Sequence, residues 1–340
     1  MTGPAISRYL LPLAACLAGA AALCGEWEER LYAFPADGVI LRAQSSGDDG
    51  EEERYTSRET RTEKGTAQRI YKEGSALKAE YHFINFNKDR LNVAFSMQNA
   101  DYRRYAAGYG YADADLDILK SWREKARREA WEKAVPQGGK AAGDRAVAEV
   151  DLDYETKLRA LFRSRGLALR AGNVVECDIP VIVKKNVKLL NPLAMAFQKV
   201  ASSRGYSEEE LVGAVVSMVQ TAIRYKVPPA LEGGLHTGGL LPPGRALLSG
   251  WGDCDTKTAL LAAVLGSWPG LKMVGVAVPG HYLMAVRRIP AKGDLFVRHE
   301  GLEYVLVEPA GPAWLEPGQV GTHTRQLLAG REGYRLEPFF

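Results

Sequence analysis

Cysteine is scarce in this chain: Cys16, Cys24, Cys177 and Cys254 are the only four in 340 residues. No two of them have the short spacing of a zinc site. If the first two are lost or modified, Cys177 and Cys254 make at most one disulfide, which is not a framework. Charge of one sign is also lacking. The net charge is +3, and no basic stripe is interleaved with aromatics, so nothing points to nucleic acid. Histidine numbers five; His236, His299 and His323 fall in loops or polar contexts and suggest no metal site. There is no internal repeat. What is present is ordinary for a globular protein: 46% hydrophobic and 25% charged residues, compatible with a sizeable buried core. The length suits one large domain or two ordinary ones.

The N-terminus reads as an export signal. Residues 1–8 carry one charge, from Arg8, and residues 9–23 are apolar or small. Glu26, Glu28, Glu29 and Arg30 end the run. A basic start, a short apolar run and small residues near its end make a secretory signal. The run is too short and alanine-rich for a comfortable membrane span. Two processing routes stay open. Leu13-Ala14-Ala15-Cys16 matches a bacterial lipobox, which makes Cys16 a candidate lipidated residue. Cleavage after Ala22 fits an ordinary signal peptidase. The expected location is the periplasm, an outer-membrane lipoprotein, or otherwise the secreted fraction.

Three segments follow from the composition: a signal over 1–24, an N-terminal mixed strand and helix domain over 27–200, and a last domain over 201–340. Residues 45–64 are crowded with Gly, Asp, Glu, Arg and Thr and read as a solvated loop or hairpin tip. Residues 81–97 are rich in strand formers. Tyr102, Tyr105, Tyr109 and Tyr111 form an aromatic cluster, read as packing against its own domain, with glycan or partner binding as the alternative. Residues 115–134 carry an apolar stripe at helical spacing, Leu116, Leu119, Trp122 and Ala126, stopped by Pro136-Gln137-Gly138-Gly139. A second helix is expected over 154–165. Residues 174–183 read as a strand that uses Cys177 as a small hydrophobe, and 192–203 as a helix.

The stretch with chemistry begins at Ser207. Ser207 with Glu210 is a capping box, and Leu211, Val215, Met218, Val219 and Ala222 continue at helical spacing. Then comes Gly250-Trp251-Gly252-Asp253-Cys254-Asp255-Thr256-Lys257, followed by an alanine and leucine helix. Cys254 therefore heads a helix after a glycine-rich turn. Unpaired N–H groups and the helix dipole favour negative charge there, which lowers a thiol's pKa. Asp253 and Asp255 read as helix-start carboxylates. Residues 271–278 form a strand, Pro279-Gly280 turns, and His281 opens a second strand. A histidine there is placed to act as the base of Cys254. Residues 303–307 form a third strand ending at Glu308, which stands beside His281 as the acceptor that orients it.

This pattern resembles the transglutaminase-like superfamily, in particular its bacterial cysteine peptidases. The residues that carry the resemblance are Gly252-Asp253-Cys254-Asp255 with Lys257, Gly280-His281, and the apolar strand ending in Glu308-Pro309. Val219-Gln220 and Ile223-Arg224-Tyr225 in the preceding helix add to it. It covers about residues 207–317, roughly a third of the chain. The resemblance implies an α+β fold with a papain/transglutaminase-like core, in which the nucleophile helix packs on an antiparallel sheet. It implies Cys254 as nucleophile, His281 as base and Glu308 at the third position, where the family more often has aspartate. Gln220 would help at the oxyanion and Trp251 would line the cleft. No cofactor or metal is implied.

The expected function is thus an exported, thiol-dependent acyl-transfer enzyme, a cysteine peptidase or amidase acting on peptide or protein amides. Two alternatives remain: a catalytically inactive binding module with an envelope protein partner, and a protein cross-linking transglutaminase. Membrane attachment would come through a lipid on Cys16.

Overall fold

The computed structural model describes residues 58–62, 65–331 and 333–340. The readings on the signal, on Cys16 and Cys24 and on the remainder of residues 1–57 lie outside the described residues. The fold is mixed α and β, with 47% helix and 25% strand.

Strands β1 (Arg58–Thr62), β2 (Thr66–Glu73), β3 (Ala76–Ile84) and β4 (Arg90–Gln98) form an antiparallel meander in sequence order. Part of the charged run at 45–64, expected as a loop or hairpin tip, thus contributes β1. Period-two burial follows the pleat: Leu91, Val93, Phe95 and Met97 of β4 point inward with Leu77, Ala79, Tyr81 and Phe83 of β3.

Helix α1 (Asn99–Ala106) leads to α2 (Asp113–Ser164). The second of these folds back on itself, because Gly138 (φ −154°) and Gly139 (φ 64°) leave helical geometry. The break expected at Pro136-Gln137-Gly138-Gly139 is therefore present. Its two arms are joined by Arg123 Nε to Asp151 Oδ1 at 2.7 Å and by Lys157 over the Trp122 ring at 4.8 Å. The tyrosine cluster packs internally. Tyr105 donates to Asn186 Oδ1, Tyr109 accepts from Asn186 Nδ2, both at 2.7 Å, and Tyr111 stacks on His236.

Strands β5 (Leu167–Leu169) and β6 (Val175–Cys177) form a short hairpin, and α3 (Ile179–Arg204) follows. The strand expected over 174–183 therefore stops at Cys177. Asp178 caps a helix there, accepting from Val181 N at 3.1 Å, and Pro180 sits in its first turn, where the missing N–H costs nothing. The helix expected from Pro192 starts thirteen positions earlier, at Ile179. It spans residue 200, and its buried face contributes Ile182, Leu190, Leu193 and Phe197 to a core that also contains Phe83, Val215, Leu260 and Met284. Residues on both sides of 200 share that core.

Helix α4 (Glu208–Thr221) starts at the expected capping box, with Glu210 N to Ser207 Oγ at 3.2 Å and Ser207 N to Glu210 Oε2 at 2.8 Å. After it come β7 (Arg224–Tyr225), the small hairpin β8 (Leu231–Glu232) and β9 (Leu235–His236), α5 (Pro243–Ser249) and β10 (Trp251–Gly252). Helix α6 (Cys254–Leu265) is buried on every side except at Asp255, and from Ala259 onward it is apolar all round.

The second sheet has the order β13-β14-β12-β11-β15, all antiparallel: β11 (Met273–Val278), β12 (His281–Arg287), β13 (Phe296–His299), β14 (Leu302–Val307) and β15 (Arg335–Pro338). Tyr282, Met284 and Val286 of β12 face the main core with α6. Leu283 and Ala285 face a smaller cluster on the other side, closed by Val320 and the short helix α7 (Thr322–Leu328).

Candidate active site

The turn before Cys254 is gripped by the first sheet. Gly250 ends α5 in the left-handed region (φ 73°), and a Cβ there would lie 1.6 Å from Gln68 Oε1. Gln68 Nε2 donates to Gly250 O at 3.1 Å, and the Tyr81 hydroxyl donates to Leu247 O. Trp251 and Gly252 then pair in parallel with Arg224 and Tyr225. A Cβ on Gly252 would collide with Thr256 at 2.2 Å, so only glycine fits beneath the new helix. Asp253 caps α6, accepting from Thr256 N at 3.0 Å. Cys254 is the first helical residue, as expected, and is 9% exposed.

The electrostatics of Cys254 depart from expectation. The helix N-terminus was expected to lower the thiol's pKa. Instead burial pushes it well up, reinforced by Asp255 and Asp253 on either side, against the Tyr282 backbone N–H. The thiol donates to Asp255 Oδ1 at 3.4 Å. Burial, with two adjacent carboxylates adding to it, outweighs the partial charge of one helix end. Asp253 is itself pushed up to about 7, by burial and by Asp255.

His281 opens β12 opposite Val278, across a turn in which Gly280 has φ 68°. Its Nε2 lies 3.0 and 3.2 Å from the two carboxylate oxygens of Glu308. The pairing of Met284 with Val307 makes β12 and β14 neighbours, so the first residue of one strand and the residue after the other reach the same end of the sheet. Glu308 is 4% exposed and also accepts from Thr324 Oγ1 at 2.6 Å and Ala310 N at 3.3 Å. Burial pushes its pKa up, but His281, Thr324 and Ala310 more than offset that and hold it below the ordinary carboxylate value. Nε2 is thus committed to Glu308, and the hydrogen bond of the Cys254 thiol runs to Asp255 rather than to His281.

Gln220 does not stand where an oxyanion donor would. Its Nε2 donates to Glu308 O (2.7 Å) and Leu315 O (2.9 Å), and its Oε1 accepts from Leu315 N (2.9 Å). Both amide hydrogens are spent, so none is left for an oxyanion. Gln220 is instead a latch that ties the segment after β14 to α4. Trp251 is half-buried, and the Lys226 ammonium covers its ring at 4.5 Å. Cys177, expected as a small hydrophobe, is half-buried and donates to the carbonyls of Gly238 at 3.2 Å and Thr237 at 3.5 Å. His236 pairs with Asp113 at 3.0 Å.

Thr324 carries no sequence signal for its role, and Lys257 stands in the motif without one that shows its burial. Thr324 reaches Glu308 from α7. Lys257, fully buried one turn after Cys254, places Nζ 3.5 Å from Gln220 O; burial pushes it down to about 7, partly offset by Glu308 and Asp253. Comparison with protein-family models, with curated proteins and with solved structures finds no match.

Proposed function

We propose that this chain is a thiol-dependent acyl-transfer enzyme, a cysteine peptidase or amidase on a papain/transglutaminase-like core, exported to the cell envelope. The observation that carries the reading is the His281–Glu308 pair at the strand ends beside the helix headed by Cys254. Glu308 holds the imidazole by Nε2, fixes its tautomer and stabilises the imidazolium. Cys254 rests as a thiol. As Sγ bonds to an amide carbonyl carbon, the thiol proton passes to His281 Nδ1 and the carbonyl electrons move to oxygen, facing the N–H groups of the helix start. The C–N bond then breaks as His281 protonates the leaving amine. Water resolves the thioester and restores the thiol. Resolution by a second amine would make the same site a cross-linker.

The raised thiol favours a second reading, a binding module whose cysteine is inert. Alkylation of Cys254 by iodoacetamide at pH 7 separates the two. The enzyme reading expects the rate to fall about tenfold or more in His281→Ala, the loss of a general base. A rate unchanged by that substitution, with the pH dependence of an ordinary thiol, leaves the inert module.

A further inference from the structure

One carboxylate at the site, Asp255, has no lysine or arginine partner among the described residues. Asp255 Oδ1 lies 3.4 Å from the Cys254 sulfur. Burial raises the pKa of Asp255, against the Cys254 hydrogen bond and the charge of His281, and the two neighbouring carboxylates that add to the rise, Glu176 and Glu337, are both answered. Glu176 pairs with Arg170 and, at 3.7 Å, with Arg335. Glu337 pairs with Arg335 at 2.7 Å and accepts the Tyr282 hydroxyl at 2.8 Å. Asp253 is buried and spent on its cap. Among the described residues no lysine or arginine pairs with Asp255, and the His281 Nε2 is engaged by Glu308. Asp255 is the one residue of α6 that is not buried.

Such a carboxylate works against the chemistry, because its charge opposes the thiolate that must form beside it. A cation brought by the substrate reverses the sign. We propose that Asp255 recognises a substrate ammonium group on the carbon next to the carbonyl that Cys254 attacks, so that the enzyme acts on N-terminal aminoacyl groups. The proposal rests on the acyl-transfer reading. Covalent geometry allows it. Once the carbonyl carbon is bonded to Sγ, an ammonium on the next carbon is three bonds from sulfur, about 3–4 Å away. A charge-assisted N–H···O contact of about 2.8 Å to Asp255 closes that triangle. The ammonium keeps its protons throughout. The thiol proton goes to His281 and then to the leaving amine, and water supplies the atoms that restore the thiol.

The test measures alkylation of Cys254 in the full chain with two probes, scored on the Cys254 peptide by mass spectrometry. 2-Bromoethylamine places an ammonium three bonds from sulfur; iodoacetamide is neutral. The ratio of the two rates is divided by that for N-acetylcysteinamide, a neutral free thiol. The expected ratio in the wild type is about tenfold or more above the free thiol, a modest outcome for a charge pair at contact. It should fall to the free-thiol value in Asp255→Asn and in Asp255→Ser. A wild-type ratio equal to that of the free thiol, or one that survives both substitutions, overturns the proposal. The acyl-transfer reading fails separately, if His281→Ala leaves both rates unchanged. Inertness of Cys254 to both probes overturns both.

Discussion

Gln220→Ala separates a latch from a catalytic donor. The side chain is 1% exposed and makes three hydrogen bonds of 2.7, 2.9 and 2.9 Å to the backbone at Glu308 and Leu315. Each is worth about 1 kcal/mol net, and truncation leaves buried partners unpaired, so the expected loss is about 3 kcal/mol. For a chain of 340 residues that corresponds to a fall in Tm of about 4 °C. The assay is thermal unfolding followed by circular dichroism, with urea unfolding as a check on two-state behaviour. Releasing the Glu308 carbonyl also loosens the carboxylate that holds His281, so Cys254 labelling should lose part of its dependence on His281. A fall in Tm of less than about 1 °C with labelling unchanged would refute the latch, since such a shift is below what one buried hydrogen bond supplies.

Glu308→Gln should cost about 1.5–3 kcal/mol, the range for hydrogen bonds to a charged group. The folded-state pKa of Glu308 lies below its ordinary value. Its stabilisation is therefore present above the unfolded pKa of about 4.3 and is lost as pH falls through the folded value. The gap between wild type and variant in urea should close in that window; a gap that persists at lower pH would contradict the argument. Lys257 has the opposite sign. Its pKa drops from 10.5 to about 7 on folding, so the unfolded chain binds the extra proton and wild-type stability should rise with pH between those values. Lys257→Met should lack that rise relative to wild type, which paired urea titrations at pH 7 and pH 10 would measure. Gly250→Ala forces a Cβ into the left-handed region against Gln68 Oε1 and should cost about 2 kcal/mol or more in urea unfolding; a neutral result would show that the turn relaxes.

Local signals were legible and long-range ones were not. Helix α4 could be placed because Ser207 and Glu210 bond reciprocally within one turn. The strands around His281 and Glu308 could be placed because short apolar runs and the Pro279-Gly280 turn mark them. The role of Gln220 was hidden because its partners lie 88 and 95 positions away. The apolar run around Cys177 reads as a strand on its Val and Ile content, whereas the deciding feature, Asp178 capping with Pro180 behind it, is a shorter local signal. The thiol of Cys254 differs from its expected state for a different reason. The two flanking aspartates were visible, but their effect depends on burial, which no spacing reveals.

The grip of the first sheet on the turn before Cys254 sets an order of events. Tyr81 and Gln68 hold the carbonyls of Leu247 and Gly250 across 166 and 182 residues of chain. Contacts of that span are slow to form, because the intervening chain must be ordered first. The meander is made of neighbouring hairpins and comes off the ribosome early. It can therefore stand as a template while the nucleophile turn, synthesised late, closes onto it, and a chain arrested before that closure would hold Cys254 without the frame that positions it.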